Sequence, residues 1–350
     1  MHPPLDSALD LFERLLAVPA PSGHEHQMAA LLAQELSRFG YASEKDAAGN
    51  LLVRVEGRQP GPLVCLAAHM DEIGMVVTRV ESDGRLLVDR SGGLYPWKLG
   101  EGPVEVFGDH RRAVGLLSMG STHTPNAAEK AVTWSDVRVL TGLSGDELSK
   151  MGIRPGSPLL PTRDRVGPVV FGSGGDPLVA AWTFDDRMGV VALLRLLQMF
   201  RIRQLQPQTP LLIAFTVQEE VGGQGAKTVA QAARPEVFIA VDGCPIPPGA
   251  PLALDGRPGI WSKDRIAQYD HHLLLALRAA AESAQTELQP VVYDSAASDA
   301  SLVYAAGLAP RIACFGHVRE NSHGYEVARL SVFDRLLDTL LAFITTWQGD

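Results

Sequence analysis

Hydrophobic and polar positions at the start of the chain follow the periodicity of amphipathic helices. Apolar residues recur with helical spacing across residues 7–17, which predicts a first helix. Ser22 is followed three residues later by Glu25, and this capping-box pattern predicts the start of a second helix. We expect that helix to continue to about Phe39, because Gly40 provides a stop signal.

Short apolar and alternating runs predict strands in the next part of the chain. Residues 50–55 and 63–68 each have the pattern of a strand, and the second is wholly apolar, as expected when both faces are covered. After Asp71, short strands are separated by glycine and aspartate turns. Their spacing predicts a small antiparallel barrel or sandwich, with strands at residues 75–80, 85–89, 104–107 and 113–118.

Strands and helices alternate from Pro177 onwards, which is typical of a parallel or mixed sheet covered by helices. Strands are predicted at residues 178–183, 211–217, 237–241, 290–293 and 311–315, and helices at 186–201, 225–233, 270–284, 298–306 and 330–346. The predicted fold class is therefore α/β, a mixed sheet flanked by helices with an inserted small β-barrel. We expect one domain to comprise residues 1–72 and 172–350, and the inserted barrel domain to comprise residues 73–171.

Composition restricts the classes of function. The chain has 350 residues, 46% hydrophobic and 20% charged, so a folded protein is expected. A formal net charge of −9 argues against a nucleic-acid-binding protein, which needs a basic face. Cys65, Cys244 and Cys314 are too widely spaced to indicate a disulfide framework or a CxxC metal site, so they favour a reducing cytoplasm. The acidic N-terminal turns do not resemble a signal peptide, and no apolar run approaches the roughly 18 residues needed to cross a membrane.

Residues that bind metals or move protons follow several of the predicted strands. In an open α/β sheet, ligands bind beyond the carboxyl ends of the strands. The residues found after these strands are His69, Asp71, Asp185, Glu219, Glu220 and Asp242, with His323 in the loop after the last strand. Each has an ordinary structural explanation when taken alone, such as an N-cap for Asp185. Carboxylates gathered at one sheet edge would repel one another, however, and bound metal ions explain the joint pattern most economically.

This donor set indicates two divalent metal ions. Two histidines and several carboxylates without a thiolate suit Zn²⁺, Co²⁺ or Mn²⁺. Asp185 is the natural bridge between two ions about 3.5–4 Å apart. Asp71 can accept the ring N–H of His69 and fix its tautomer. Because adjacent residues at a strand end point in different directions, either Glu219 or Glu220 can bind metal while the other acts as a general base.

Four segments resemble the motifs of a known family. They begin at His69 (HMDEIG), Phe184 (FDDRMG), Gln218 (QEEVG) and Val241 (VD). As a set, and in this order, they resemble the M42 family of dinuclear metallopeptidases, which includes tetrahedral and glutamyl aminopeptidases. The resemblance covers nearly the whole chain and includes the barrel-like segment after the first motif. It implies a catalytic α/β metallopeptidase domain with an inserted dimerisation barrel, and a homo-oligomer built from dimers, often a dodecamer.

The same resemblance implies a role for each candidate residue. Asp185 would bridge the two metal ions, Glu219 would be the general base, and Asp71 would orient His69. The terminal metal ligands would be His69, Glu220, Asp242 and His323. The implied reaction is hydrolysis of the N-terminal residue of a peptide substrate.

Two segments near the expected substrate position depart from the family pattern. Members usually show a His-Ser-Pro-type motif with a glutamate shortly after the last ligand, whereas this chain has His323-Gly324-Tyr325-Glu326. The residues after Asp242, Gly243-Cys244-Pro245, differ as well. This chain retains Asp242 and His323, so the assignment of metal ligands survives, whereas the family's side-chain specificity is not carried over.

Two other functions stand as alternatives. A related carboxypeptidase and deacylase family shares the metal arrangement, so the substrate could be an N-acyl amino acid or another small amide. Members of that family place their second domain after the Glu-Glu motif, whereas here the insert precedes Asp185, which favours the aminopeptidase family. The remaining alternative is a non-catalytic scaffold, and the complete set of ligands and base counts against it.

Several further residues give weaker signals, and most of them have ordinary structural explanations. Ser298 is expected to cap a helix. His271 and His272 are expected to face solvent, whereas His317 is a candidate for the substrate pocket. Trp97 is expected to pack in the core of the insert or at an interface.

Overall fold

A mixed sheet with helices on both faces and a closed β-barrel make up the fold, and they confirm the predicted class. The computed structural model describes residues 4–123 and 131–349. Among these residues no helix is both long enough and apolar enough to cross a membrane. The α-helices are Ala8–Leu16, His26–Arg38, Pro96–Leu99, Gly145–Lys150, Phe184–Ile202, Gln224–Ala233, His271–Ser283, Asp299–Ala305 and Val332–Thr346.

The main sheet has eight strands, and its centre is parallel. Their spatial order is Glu44–Lys45, Leu51–Val55, Leu211–Thr216, Val64–His69, Val237–Val241, Arg311–Gly316, Gly259–Lys263 and Gln289–Val292. The third to sixth of these strands run parallel to one another, and antiparallel pairings join them to the strands on either side. The carboxyl ends of four neighbouring strands therefore meet at one edge.

Alternation along the central strands explains the two helical layers. Leu66 and Ala68 belong to the large core that also contains the helices Ala8–Leu16 and Phe184–Ile202. Cys65 and Ala67 point to the opposite face and belong to a second core, with residues of the helices Gln224–Ala233 and Asp299–Ala305. Because both faces are covered, the central strands are apolar except at their ends, and residues 64–68 are wholly apolar, as the sequence predicted.

The barrel is antiparallel and closed. Its strands in spatial order are Gly74–Val80, Leu86–Ser91, Arg138–Leu140, Arg112–Ser118, Gly102–Phe107 and Pro158–Pro161. Four of these strands were predicted from the sequence, whereas the third and the last were not. Closure removes the free sheet edges that an open sandwich of the same strands would expose.

Two predictions about local structure are wrong. The residue before the second helix is Glu25, and Ser22 does not cap that helix, because its hydroxyl donates to Asp71 Oδ2 at 2.7 Å. The strand Leu178–Trp182 does not join the main sheet. It pairs instead with Val169–Phe171 and Tyr325–Arg329 in a separate three-stranded antiparallel sheet. A hydrophobic run can satisfy its backbone in either sheet, so the pattern alone did not distinguish them.

Candidate metal centre

Three neighbouring parallel strands bring most of the predicted residues together. His69 is the last residue of Val64–His69 and lies opposite Thr216, the last residue of the adjacent strand. Glu219 and Glu220 follow that adjacent strand, and Asp242 follows the strand on the other side of His69. Parallel strands end at the same edge, and this geometry gathers side chains that lie far apart in the sequence.

The small three-stranded sheet supplies the other two residues. Its central strand, Leu178–Trp182, leads into Asp185, whose backbone is not yet helical although it lies in the first turn of Phe184–Ile202. Its neighbour Tyr325–Arg329 begins just after His323. Asp185 and His323 are therefore delivered by paired strands that do not belong to the main sheet, which explains their proximity despite a sequence separation of 138 residues.

Asp185 lies at the centre of the cluster. Its Oδ1 is 3.2 Å from Nε2 of His69, and its Oδ2 is 3.6 Å from Nε2 of His323. The same nitrogen of His323 is 3.9 Å from Oε2 of Glu220. One group of potential ligand atoms within 4.8 Å of one another comes from His69, Asp185 and Glu220. Asp185 can therefore present its two oxygens to two different cations.

A second group of potential ligand atoms shares Asp185. Asp185, Asp186 and Asp242 each offer an oxygen, and these atoms also lie within 4.8 Å of one another. Asp186 is fully buried; its Oδ1 accepts from the Gly189 N–H, and its Oδ2 has no hydrogen-bond partner. Sequence reasoning did not select Asp186, although its place beside Asp185 was the available signal.

The pKa shifts of the carboxyl groups in the cluster are those expected of a site that needs a bound cation. Burial, together with the charge of Asp185, raises the pKa of Glu220 to about 7 and the pKa of Asp242 to about 8. Burial likewise raises the pKa of Glu219 well above its ordinary value, with Asp299 and Asp242 adding repulsion. Glu220 Oε1 is also buried without a hydrogen-bond partner. Buried carboxylates of this kind bind protons or metal ions, and the donor set fits divalent cations.

At the two histidines and Asp185, the pKa shifts favour the charged form of the side chain. Burial alone would lower the pKa of both histidines. Hydrogen bonds with Asp185 and Asp71 nevertheless raise the pKa of His69 well above its ordinary value, and Glu220 and Asp185 raise the pKa of His323 to about 10. Burial would raise the pKa of Asp185, but the positive charge of Arg319 and the histidines hold it well below its ordinary value. A metal ion would replace the protons that the histidines hold.

Asp71 fixes the backbone on which the two glutamates lie. Its Oδ1 accepts from the Glu219 N–H at 3.0 Å, and its Oδ2 accepts from the Glu220 N–H at 3.2 Å and from Ser22. The Nδ1 atom of His69 lies 3.1 Å from the backbone carbonyl of Asp71 and 3.4 Å from its Oδ1. Asp71 thus contacts both glutamates and His69 without entering either group of potential ligand atoms.

A cavity of about 830 Å³ opens onto this cluster. Its wall includes Asp185, Glu219, Glu220, Asp242 and His323, and also Tyr95, Trp97 and Lys98 from the barrel segment. Trp97 is 66% exposed, so of its two expected positions the core of the insert is wrong, and a position at an interface stays a prediction.

The barrel segment also approaches the cluster through its backbone. The carbonyl oxygen of Gly93 is 2.9 Å from Nδ1 of His323. A β-carbon at Gly93 would lie 2.7 Å from the ring of His323, and one at Gly92 would lie 3.3 Å from Glu220. Glycine at these two positions therefore allows the barrel segment to contact the site directly.

The remaining candidate residues lie outside the metal cluster. Ser298 caps the helix Asp299–Ala305 through a reciprocal pair of bonds with Ser301, as predicted. His271 and His272 are exposed, as predicted. His317 is fully buried and is not among the residues that line the cavity.

Comparison with known proteins identifies the class to which this fold and cluster belong. The model of the M42 glutamyl aminopeptidase family matches residues 49–338. The chain is 27% identical to the glutamyl aminopeptidase of Lactococcus lactis subsp. cremoris over 68% of this chain and 67% of that one. It is 29% identical to the lysyl aminopeptidase of Pyrococcus furiosus over 67% of this chain and 65% of that one. The aligned region thus spans about two thirds of these relatives.

A solved structure supports the same class over the full length. The Pyrococcus horikoshii TET1 peptidase superposes with a TM-score of 0.85 at 25% identity, covering 97% of this chain and all of that one. The chain belongs to the M42 glutamyl aminopeptidase family.

Proposed function

We propose that this protein is an aminopeptidase that uses two divalent metal ions, Zn²⁺ or Co²⁺ with Mn²⁺ as a further candidate, to hydrolyse the N-terminal residue of peptides. The observation that carries the proposal is Asp185, which lies with Glu219 in the wall of the cavity and whose two oxygens face His69 and His323. The family match agrees with this activity and does not favour the deacylase alternative.

The contacts of Asp185 support a division of the ligands into two positions. Its Oδ2 faces His323, which is next to Glu220, so these two residues are assigned to one position. Its Oδ1 faces His69, and Asp242 shares the second group of potential ligand atoms with Asp185. His69 also lies within 4.8 Å of a Glu220 oxygen, but Glu220 is assigned with His323, so His69 and Asp242 are assigned to the second position. Asp185 would bridge the two, and each position would then have one histidine and one terminal carboxylate.

Glu219 is assigned the role of general base. When bound, the ions polarise the scissile carbonyl and lower the pKa of water. Glu219 lines the cavity, and its raised pKa suits a carboxylate that takes a proton from the attacking water and returns it to the leaving amine. Asp71 would keep Glu219 in place through its backbone N–H and would orient His69.

The organisation of the chain and its assembly are part of the proposal. We assign residues 1–72 and 172–350 to the catalytic domain and residues 73–171 to an inserted barrel domain for dimerisation. A homo-oligomer built from dimers is expected, because the similar TET1 peptidase is described as assembling into a tetrahedron or a large octahedral shell. A reducing cytoplasm agrees with three cysteines that are buried and unpaired.

The Glu219→Gln variant tests the catalytic role. The variant should bind two metal ions as the wild type does, and its turnover should fall by about 10²–10⁴-fold, the usual contribution of general acid–base catalysis. Metal content is measured on protein purified without chelator. Retained turnover would contradict the assignment of Glu219.

A substrate comparison tests the reaction class. Aminoacyl-nitroanilides with a free amine should be hydrolysed, whereas N-acetyl amino acids should not. The opposite preference would establish the deacylase alternative. Protein that cannot be loaded with metal would instead favour a non-catalytic scaffold.

A further inference from the structure

We propose that Glu326, together with Arg319, is a positioning residue that determines the metal affinity of the position formed by His323 and Glu220. This inference rests on the proposed function, because it concerns the same metal centre. Neither residue was selected by sequence reasoning as a participant in the site. Their contacts with Asp185 and His323 are the basis of the argument.

The carboxylate of Glu326 accepts hydrogen bonds from the backbone of two candidate ligands, Asp185 and His323. Its Oε2 accepts from the Asp185 N–H at 2.9 Å, and its Oε1 accepts from the His323 N–H at 3.1 Å. Asp185 and His323 come from different segments of the chain. A single carboxylate that holds both amides therefore fixes the separation of the two ligands. Glu326 is 1% exposed, so solvent does not compete for these bonds.

Arg319 brings a positive charge to the same side of Asp185. Its Nε donates to Glu326 Oε1 at 2.7 Å, and its Nη2 is paired with Asp185 Oδ2. Arg319 is 2% exposed, and Asp185 and Glu326 raise its pKa despite burial, so it stays charged. Asp185 Oδ2 is also the oxygen that faces His323.

These contacts give Glu326 an electrostatic role as well as a geometric one. A guanidinium beside Asp185 Oδ2 repels a cation bound there, and repulsion between buried charges is weakly screened. The carboxylate of Glu326 offsets that repulsion while its two amide contacts hold the ligands in place. The other oxygen of Asp185, Oδ1, faces His69. The contacts of Glu326 with Asp185, His323 and Arg319 described above do not involve that oxygen.

Stepwise metal titration of the metal-free, full-length protein tests this inference. Zn²⁺ or Co²⁺ binding is followed by calorimetry, and the visible spectrum of Co²⁺ reports the geometry at each step. The His323→Ala variant identifies which binding step belongs to its position. In Glu326→Gln, that same step should weaken by about 10–100-fold, the usual effect of losing a residue that orients metal ligands. The other step should change by less than about threefold, well below that effect.

Three further variants make the result interpretable. Glu282→Gln makes the same chemical change at an exposed residue outside the cavity wall, and it should leave both steps unchanged. If Glu326→Gln does not fold, Glu326→Asp keeps the charge but is too short to reach both amides, and it should still weaken the His323 step selectively. Removal of both charges in Arg319→Gln/Glu326→Gln should recover part of the affinity that Glu326→Gln loses.

The outcomes separate this inference from the proposed function. A wild-type protein that binds no metal would overturn the proposed function itself. A wild type with two binding steps, combined with unchanged or uniformly weakened steps in folded Glu326→Gln, would overturn the role of Glu326 alone.

Discussion

Replacing Asp71 by Asn removes one charge and one acceptor at almost constant shape. Asp71 is fully buried, and its two oxygens receive the backbone N–H groups of Glu219 and Glu220 as well as the hydroxyl of Ser22. Asparagine has only one oxygen. Whichever way its amide is turned, its NH₂ group faces one of the two backbone N–H donors, and that donor loses its partner.

The expected cost follows from these contacts. A hydrogen bond to a charged group contributes about 1.5–3 kcal/mol, and a buried donor without a partner costs about 1–3 kcal/mol. Loss of the charge also relieves repulsion with Glu220, whose pKa is raised in part by Asp71, and this offsets some of the cost. We therefore expect the free energy of unfolding of the metal-free protein to fall by about 2–4 kcal/mol, a large share of the roughly 5–15 kcal/mol typical of a folded protein.

Urea unfolding of chelator-treated Asp71→Asn and wild type measures this difference. With a slope of about 3 kcal/mol per M, the unfolding midpoint should fall by about 1 M. Metal affinity should fall by about 10–100-fold, because Asp71 no longer orients His69 and the two glutamates. The exposed Asp83→Asn is the control and should change neither quantity. Wild-type stability and wild-type metal affinity in Asp71→Asn would refute the reasoning.

Three other predictions concern pH, packing and the cavity. In the metal-free protein, burial raises the pKa of Glu220 to about 7 and that of Asp242 to about 8, so the folded protein binds more protons than the unfolded chain. The free energy of unfolding should therefore decrease as pH rises from about 5 to 8. Saturating Zn²⁺ should remove most of that slope in urea titrations, and an equal slope with and without metal would contradict it. Gly243→Ala should destabilise the protein by about 1–3 kcal/mol in urea titrations, because the added β-carbon would lie 1.2 Å from Nη1 of Arg319. Gly175→Ala is the control and should not destabilise the protein, because a β-carbon at Gly175 would have no atom within 4 Å. Trp97→Ala should raise KM for peptides without changing the unfolding midpoint, because Trp97 is exposed in the cavity wall; an unchanged KM would remove it from substrate binding.

The strand-end residues were predictable because parallel strands obey a simple rule. Three apolar runs ended in His69, Glu219 and Asp242, and parallel strands must end at one edge. Fold class and insertion followed from the same change of pattern along the chain. Asp185 was selected as a carboxylate that follows a strand, but on a wrong structural premise, because its strand belongs to the small antiparallel sheet and not to the main sheet.

Contacts between side chains and distant backbone could not be predicted in the same way. Ser22 and Glu25 fit a capping box in sequence, yet Ser22 donates to Asp71 and Glu25 Oε1 accepts from the Gly23 and Gln218 N–H groups. Local patterns report only local partners, and these partners are set by how the segments meet. Arg319 gave no signal, because a single arginine in a sequence does not show which carboxylate it will pair with.

The contact between Gly93 and His323 has a consequence for how such a protein can evolve. A barrel that only joined subunits could be exchanged or deleted without altering the chemistry of its host. Here the barrel segment places a backbone carbonyl against the ring of a candidate ligand and contributes two aromatic rings to the wall of the same cavity. Substitutions in this part of the barrel are therefore expected to alter the candidate metal centre and its cavity as well, so the barrel and the site are expected to change together during divergence.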